Sequence, residues 1–200
     1  MCAHSLVAYS IDMKNISYIV CLIIFLVSSI DAQEVSQLEE RDGVMYEPHK
    51  VEPFTGKYVK YYENGQKKEE GKYRDGKSNG FLISWFENGQ KEVEGNSKNG
   101  KLDGHVTFWY RNGQKKSELN YKEGKLDGFT VRWYENGQKK GGLIYKDGKR
   151  DGLFTLRNEN GQKVEEGHFI NDKKEGIWYM WDQNGNVTKT ERYSDGVLVE

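Results

Sequence analysis

Residue types able to do chemistry are sparse in this chain, and they are arranged by period rather than by cluster. Beyond residue 32 the histidines are His49, His105 and His168. They have no His-x-x-x-His spacing, and no cysteine follows to complete a ligand set, so no transition-metal site is expected. No serine lies in a nucleophile motif. The adjacent carboxylates Glu69-Glu70 and Glu165-Glu166 would point to opposite sides of a strand and could not share a substrate proton. Asp75, Asp103, Asp127, Asp147 and Asp151 recur as they would in acidic calcium loops. Lys77, Lys101, Lys125 and Lys149 sit among them, however, and aspartate at a turn has a conformational reason of its own. Neither a catalytic residue nor a cofactor or metal is implied, and the chain reads as non-enzymatic.

One set of side chains could still bind something: Tyr61, Trp85, Trp109, Trp133 and Trp181, which share one position of a regular period. Aromatic rings at repeated spacing can stack on sugars or enclose choline-like cations. They can equally form the packing spine of a sheet. These five are the candidate partner-binding or packing aromatics.

The elements that must position them follow from the same period. Asn-Gly returns every 24 residues, from Asn64-Gly65 to Asn184-Gly185, without an insertion. A second series, Gly56, Gly80, Gly104, Gly128, Gly152 and Gly176, keeps the same step. A fixed period of this size marks a repeat array, in which each unit packs on its neighbours and the whole presents one long surface.

Within the first unit, Lys57 to Glu63 and Gln66 to Tyr73 read as two strands joined by Asn64-Gly65, the pair favoured by a two-residue type I′ turn. Arg74-Asp75-Gly76-Lys77 supplies the next turn. The expected fold is all-β: an elongated antiparallel sheet of tandem β-hairpins, six repeats over residues 56–200, with residues 33–55 as a lead-in and cap.

With Asn64 and Gly65 as loop residues, Tyr62 faces Lys67, Tyr61 faces Lys68 and Gly56 faces Tyr73. One face then carries Val59, Ile83, Val131 and the tryptophans, and is expected to be largely apolar. The other pairs Tyr62, Phe86, Tyr110 and Tyr134 with Lys67, Lys91, Lys115 and Lys139. Aromatics such as Tyr73, Tyr121 and Phe169 are expected to cover the glycines opposite them. The period falters at Arg157 and Asn158, where an aromatic pair is replaced, and at Asp172, which replaces a turn glycine.

Apolar residues make up 36% of the chain, with 23 glycines and two prolines, which suits short strands and turns. Lys plus Arg is 30 against 31 for Asp plus Glu, so no nucleic-acid footprint or anionic-membrane adhesion is predicted. Residues 1–32 differ from the rest. An apolar run of about fifteen residues follows Lys14, short of the roughly 20 that span a bilayer, and Ser28, Ser29 and Ala32 stand near its end. This reads as a signal peptide, with translation starting at Met13 and a secreted or cell-envelope destination; uncleaved, it would be the chain's one membrane anchor. Both cysteines, Cys2 and Cys21, lie inside it, so the mature chain would have no disulfide.

The segments YYENGQKKEEGKYRDGKSNG, WFENGQKEVEG and WYENGQKKGGLIYKDGKRDG resemble the MORN-repeat variant, over about residues 53–196. With its PFTGKYVKYYENGQKKEEG opening, the chain is similar to the YwqK-type family described as toxin-antitoxin antitoxins. The resemblance implies a hairpin array that binds a protein partner, such as a toxin, without a cofactor. Repeats define a scaffold and not its client, so an envelope glycan- or lipid-binding module stands as the alternative.

Overall fold

A computed structural model describes residues 34–200, and these contain strands and turns without a helix. The leader expected over residues 1–32, with its start at Met13, lies outside them. Six hairpins follow one another in a single antiparallel meander. Their outgoing strands are Gly56–Tyr61, Lys77–Trp85, Gly104–Trp109, Gly128–Trp133, Gly152–Arg157 and Lys173–Trp181. The returning strands are Lys67–Arg74, Lys91–Lys98, Lys115–Lys122, Lys139–Lys146, Lys163–Ile170 and Val187–Ser194. All belong to one sheet, which Glu34–Val35 joins in parallel with Gly56–Tyr61.

At the N-terminal end, Glu39–Arg41 pairs with Val44–Tyr46 as a separate small hairpin. Part of the expected lead-in is therefore strand. The small hairpin is tied to the first repeat by Met45 N–H donating to the Gly76 carbonyl (2.9 Å) and by Phe54 N–H donating to the Met45 carbonyl (2.8 Å).

The register away from the turns is the expected one, with Gly56 opposite Tyr73, Gly104 opposite Tyr121 and Gly128 opposite Tyr145. The turns themselves are assigned the other way round. The two-residue type I′ turn, with both central residues at positive φ, is Asp75-Gly76 (50° and 70°) and its counterparts down to Asp195-Gly196 (53° and 85°), Asn171-Asp172 (48° and 70°) among them.

At Asn-Gly only the glycine is left-handed, with Gly65 at 81°. Gly65 N–H donates to the Tyr62 carbonyl (3.0 Å), and Tyr62 N–H donates to the Gln66 carbonyl (2.8 Å). That is a type I turn closed by a glycine bulge, one residue longer than expected. The extra residue shifts the pairing beside the turn, so Tyr61 meets Lys67 and Lys60 meets Glu69, leaving Lys68 bulged.

A second expectation fails for a related reason. The glycines opposite Tyr121 and Tyr193 are not held by a covering ring, because a Cβ added at Gly104 or Gly176 would meet nothing within 4 Å. Their φ values of 94° and 70° are the physical requirement for glycine there.

The core lies mainly on the face opposite to the one expected. Val106 and Trp178 are fully buried there, and Phe154, Phe169, Trp178 and Tyr193 pack ring to ring, with centroids 5.0 Å apart for Phe169 and Trp178. The face expected to be largely apolar buries Val59 but leaves Phe129, Leu153 and Ile177 exposed by 68%, 44% and 48%. The reason lies on the intervening strands. Pairing runs Val59–Glu70–Ile83–Glu94–Thr107–Glu118–Val131, so carboxylates separate the apolar residues that one strand alone would place together.

Candidate functional site

The bulge decides what the aromatic column touches. Lys67, freed from Tyr62, places its ammonium 5.7 Å from the centre of the Trp85 ring in the next hairpin. The same contact recurs between Lys91 and Trp109 (5.8 Å), Lys115 and Trp133 (5.9 Å), and Lys163 and Trp181 (5.4 Å). Each of these lysines also pairs with the glutamate three residues on: Lys67 with Glu70 (2.6 Å), Lys91 with Glu94 (2.7 Å), Lys115 with Glu118, and Lys163 with Glu166 (2.8 Å).

The repeating unit of this face is therefore glutamate, lysine and the tryptophan of the following repeat. A choline-like cation or a sugar would have to displace a lysine that the chain already supplies. The opposite face also differs from the expected pairing. Lys68, Lys116 and Lys140 lie over Tyr62, Tyr110 and Tyr134, while Arg111 lies over Phe86.

The electrostatics follow this arrangement. Burial pushes the Glu70 carboxyl up, but hydrogen bonds from Lys67 and Lys57 outweigh it and hold the group below its ordinary value. The aspartates that recur at turns are occupied as well. Asp103, Asp127 and Asp151 accept backbone N–H from Glu123 (3.1 Å), Asp147 (3.0 Å) and Asn171 (3.3 Å), each twenty residues on. The two ring nitrogens of His105 face Asn120 Oδ1 (3.3 Å) and Thr107 Oγ1 (3.1 Å), so no carboxylate orients this ring as a base. Glu165 pairs with Lys174 and Glu166 with Lys163, so the adjacent carboxylates serve different partners.

The unit breaks once, between the fourth and fifth hairpins. Gly142 stands at the glutamate position, paired with Val131 and Thr155, and Arg157 stands at the tryptophan position. Arg157 Nη1 donates to the Gly161 carbonyl (3.0 Å). The missing side chains leave a groove on each side of Gly141-Gly142. One, of about 480 Å³, has Phe154, Phe169 and Trp178 among its walls and Arg132, Lys140, Arg150 and Lys174 as its cations. The other, of about 210 Å³, is lined by Phe129, Val131, Ile144 and Leu153 with Lys139 and Arg157. Neither groove was foreseen from the sequence, although Gly141-Gly142 and Arg157 are its visible signal. Tyr61 and Trp85, Trp109, Trp133 and Trp181 lie outside both.

Asp172, the other irregular position, bonds back to the preceding repeat. Its Oδ1 accepts from Arg150 N–H and Nε–H, both at 3.0 Å, and these bonds hold its carboxyl below the ordinary value. Arg150 in turn lies 4.1 Å from the centre of the Phe169 ring.

Four stretches of the chain match the MORN repeat variant. They are residues 54–75, 102–123, 150–171 and 174–198. The hairpins between the first three of these pair their strands in the same antiparallel register, with the same irregularity beside the Asn-Gly tip. The comparison with curated proteins gave no match. MORN-variant repeats stacked in this way suit a repeat-built binding scaffold, in which neighbouring units present one continuous surface.

Proposed function

We propose that this chain is a non-catalytic, exported repeat scaffold that binds a protein partner, and that the contact centres on the fourth to sixth hairpins. One observation carries the reading: the interruption at Gly142 and Arg157 coincides with the exposed apolar residues Phe129 and Leu153. Elsewhere on that face, glutamate, lysine and tryptophan complete one another within the chain. An exposed apolar patch with a cationic border is characteristic of a protein-binding surface. An antitoxin or immunity-like role, in which the partner is a toxin neutralised in the envelope or outside the cell, is the narrower form of this reading.

Affinity purification of the full chain from its native host tests it. One stoichiometric polypeptide is expected to co-purify, to be lost when Phe129→Ser and Leu153→Ser are combined, and to persist with Trp109→Ala. Retention on cell-wall material that disappears with Trp109→Ala would replace the protein partner by a glycan. N-terminal sequencing of the mature protein checks the leader, and a chain still carrying Ser10 would count against a start at Met13.

A further inference from the structure

Resting on the scaffold reading, we infer that the groove at Gly142 receives an acidic, extended segment of the partner, whose carboxylate takes the place of the glutamate that this repeat lacks. In four other repeats a lysine at the start of the returning strand meets a glutamate three residues later, from Lys67 with Glu70 to Lys163 with Glu166. In the fourth hairpin the corresponding lysine is Lys139, and the position three residues later is Gly142. Among the described residues, neither Lys139 nor Arg157 belongs to an ion pair, although both line the same groove. The chain thus builds the cationic half of its own recurring ion pair and omits the anionic half.

The flanking residues specify the rest of the ligand. Phe129, Leu153 and Ile177 occupy one position in three successive repeats and are all exposed. With strands about 4.8 Å apart, repeats lie about 10 Å apart, so this stripe runs about 20 Å. That exceeds a small anion and fits about six residues of extended polypeptide. Alternating apolar and acidic side chains would place apolar groups on the stripe and a carboxylate between Lys139 and Arg157. A segment of this kind gains charge-assisted hydrogen bonds at the groove without burying an unpaired charge.

The test uses the full chain and a fluorescein-labelled, end-capped peptide of alternating leucine and glutamate, about six residues long. The expected result is saturable binding that weakens about tenfold when glutamine replaces glutamate in the peptide, and about tenfold with Lys139→Gln or Arg157→Gln. Gly142→Glu supplies the missing carboxylate from within and should abolish binding of the peptide. Gly142 is not at positive φ, but an added Cβ would meet the Thr130 carbonyl oxygen at 3.1 Å, a tight contact to which the facing strand must yield. If that variant does not fold, the two glutamine variants still decide the matter.

Equal binding of the glutamate and glutamine peptides, or unchanged binding by all three protein variants, would overturn the inference. A concentration-dependent dimer removed by Gly142→Glu would also overturn it, by assigning the groove to a second copy. Loss of the native partner with Phe129→Ser and Leu153→Ser but not with Gly142→Glu would leave the scaffold reading standing and remove this one.

Discussion

Asparagine is retained at the hairpin tips for two hydrogen bonds rather than for its tolerance of positive φ. Asn112 Oδ1 accepts from Gln114 N–H within its own turn, and Nδ2–H donates to the Glu135 carbonyl of the next repeat, both at 2.9 Å. The same side chain therefore closes one hairpin and fastens the next. Asn112→Ala should lower stability by about 1 kcal/mol, the usual net worth of such bonds, measured by urea unfolding. Asn160→Ala should change it by less than about 0.5 kcal/mol. In that repeat Asn158 Oδ1 takes over the turn, accepting from the N–H groups of Asn160 and Gln162. The irregular Asn158 is thus a substitute for the displaced asparagine, a role that appears only once the bulged turn is known.

The hairpin as an element is shaped by where glycine makes room. Gly167 lies opposite Phe154 on the returning strand of the fifth hairpin, and a Cβ there would fall 2.2 Å from Trp178 Cδ2. The indole occupies the space that a side chain at 167 would need. Trp178 anchors the largest ring cluster, packing on Phe154, Phe169 and Tyr193, with Lys174 Nζ 3.9 Å from its ring centre.

Gly167→Ala should cost about 1–3 kcal/mol by overpacking. Trp178→Ala should cost about 3–5 kcal/mol. Chemical denaturation followed by circular dichroism checks both, and equal effects would mean that the cluster relaxes around either change. The aromatic cluster was only partly legible in the sequence. Tyr193 and Phe169 were expected to cover the glycines opposite them, but they pack on Trp178, which reaches them from the neighbouring strand.

At the scale of the whole array, each repeat is bound to its neighbour at both ends: by side-chain amides at the Asn-Gly tips, asparagine in the first four hairpins and Gln162 in the fifth, and by backbone bonds at the type I′ turns. Gly124 N–H donates to the Leu102 carbonyl and Gly148 N–H to the Leu126 carbonyl, both at 2.8 Å. Stability should then follow pH through carboxylates that the folded chain holds by hydrogen bonds. Glu70 is held below its ordinary 4.5, where desolvation by burial raises it but the Lys67 and Lys57 hydrogen bonds prevail. Asp172 is held below 3.8 by the Arg150 hydrogen bonds, and Glu191 below 4.5 by those of Lys189 and Tyr193.

A carboxyl lowered by folding contributes stability that is complete above its ordinary value and is lost as pH falls through the lowered one. The urea midpoint should therefore hold steady from pH 7 to about pH 5 and decline below about pH 4.5. Glu70→Gln should make that decline shallower. A midpoint that rises on acidification would contradict the assignment of these groups as stabilising anions.

Several features of this protein are set by sequence over short range. The 24-residue period, the alternation of strand and turn, and the pairing of Gly56 with Tyr73 or Gly104 with Tyr121 all follow from turn residues acting on the chain immediately beside them. What only the tertiary structure decided is how the hairpin tips close and how one repeat pairs with the next. One bulged residue at each Asn-Gly tip sends Lys67 to Trp85 and Lys68 to Tyr62. The pairing of one repeat with the next places Glu70 between Val59 and Ile83, which divides the expected apolar face. The aromatic column is consequently filled by the chain's own lysines, and the surface left open is the place where glutamate and tryptophan give way to Gly142 and Arg157.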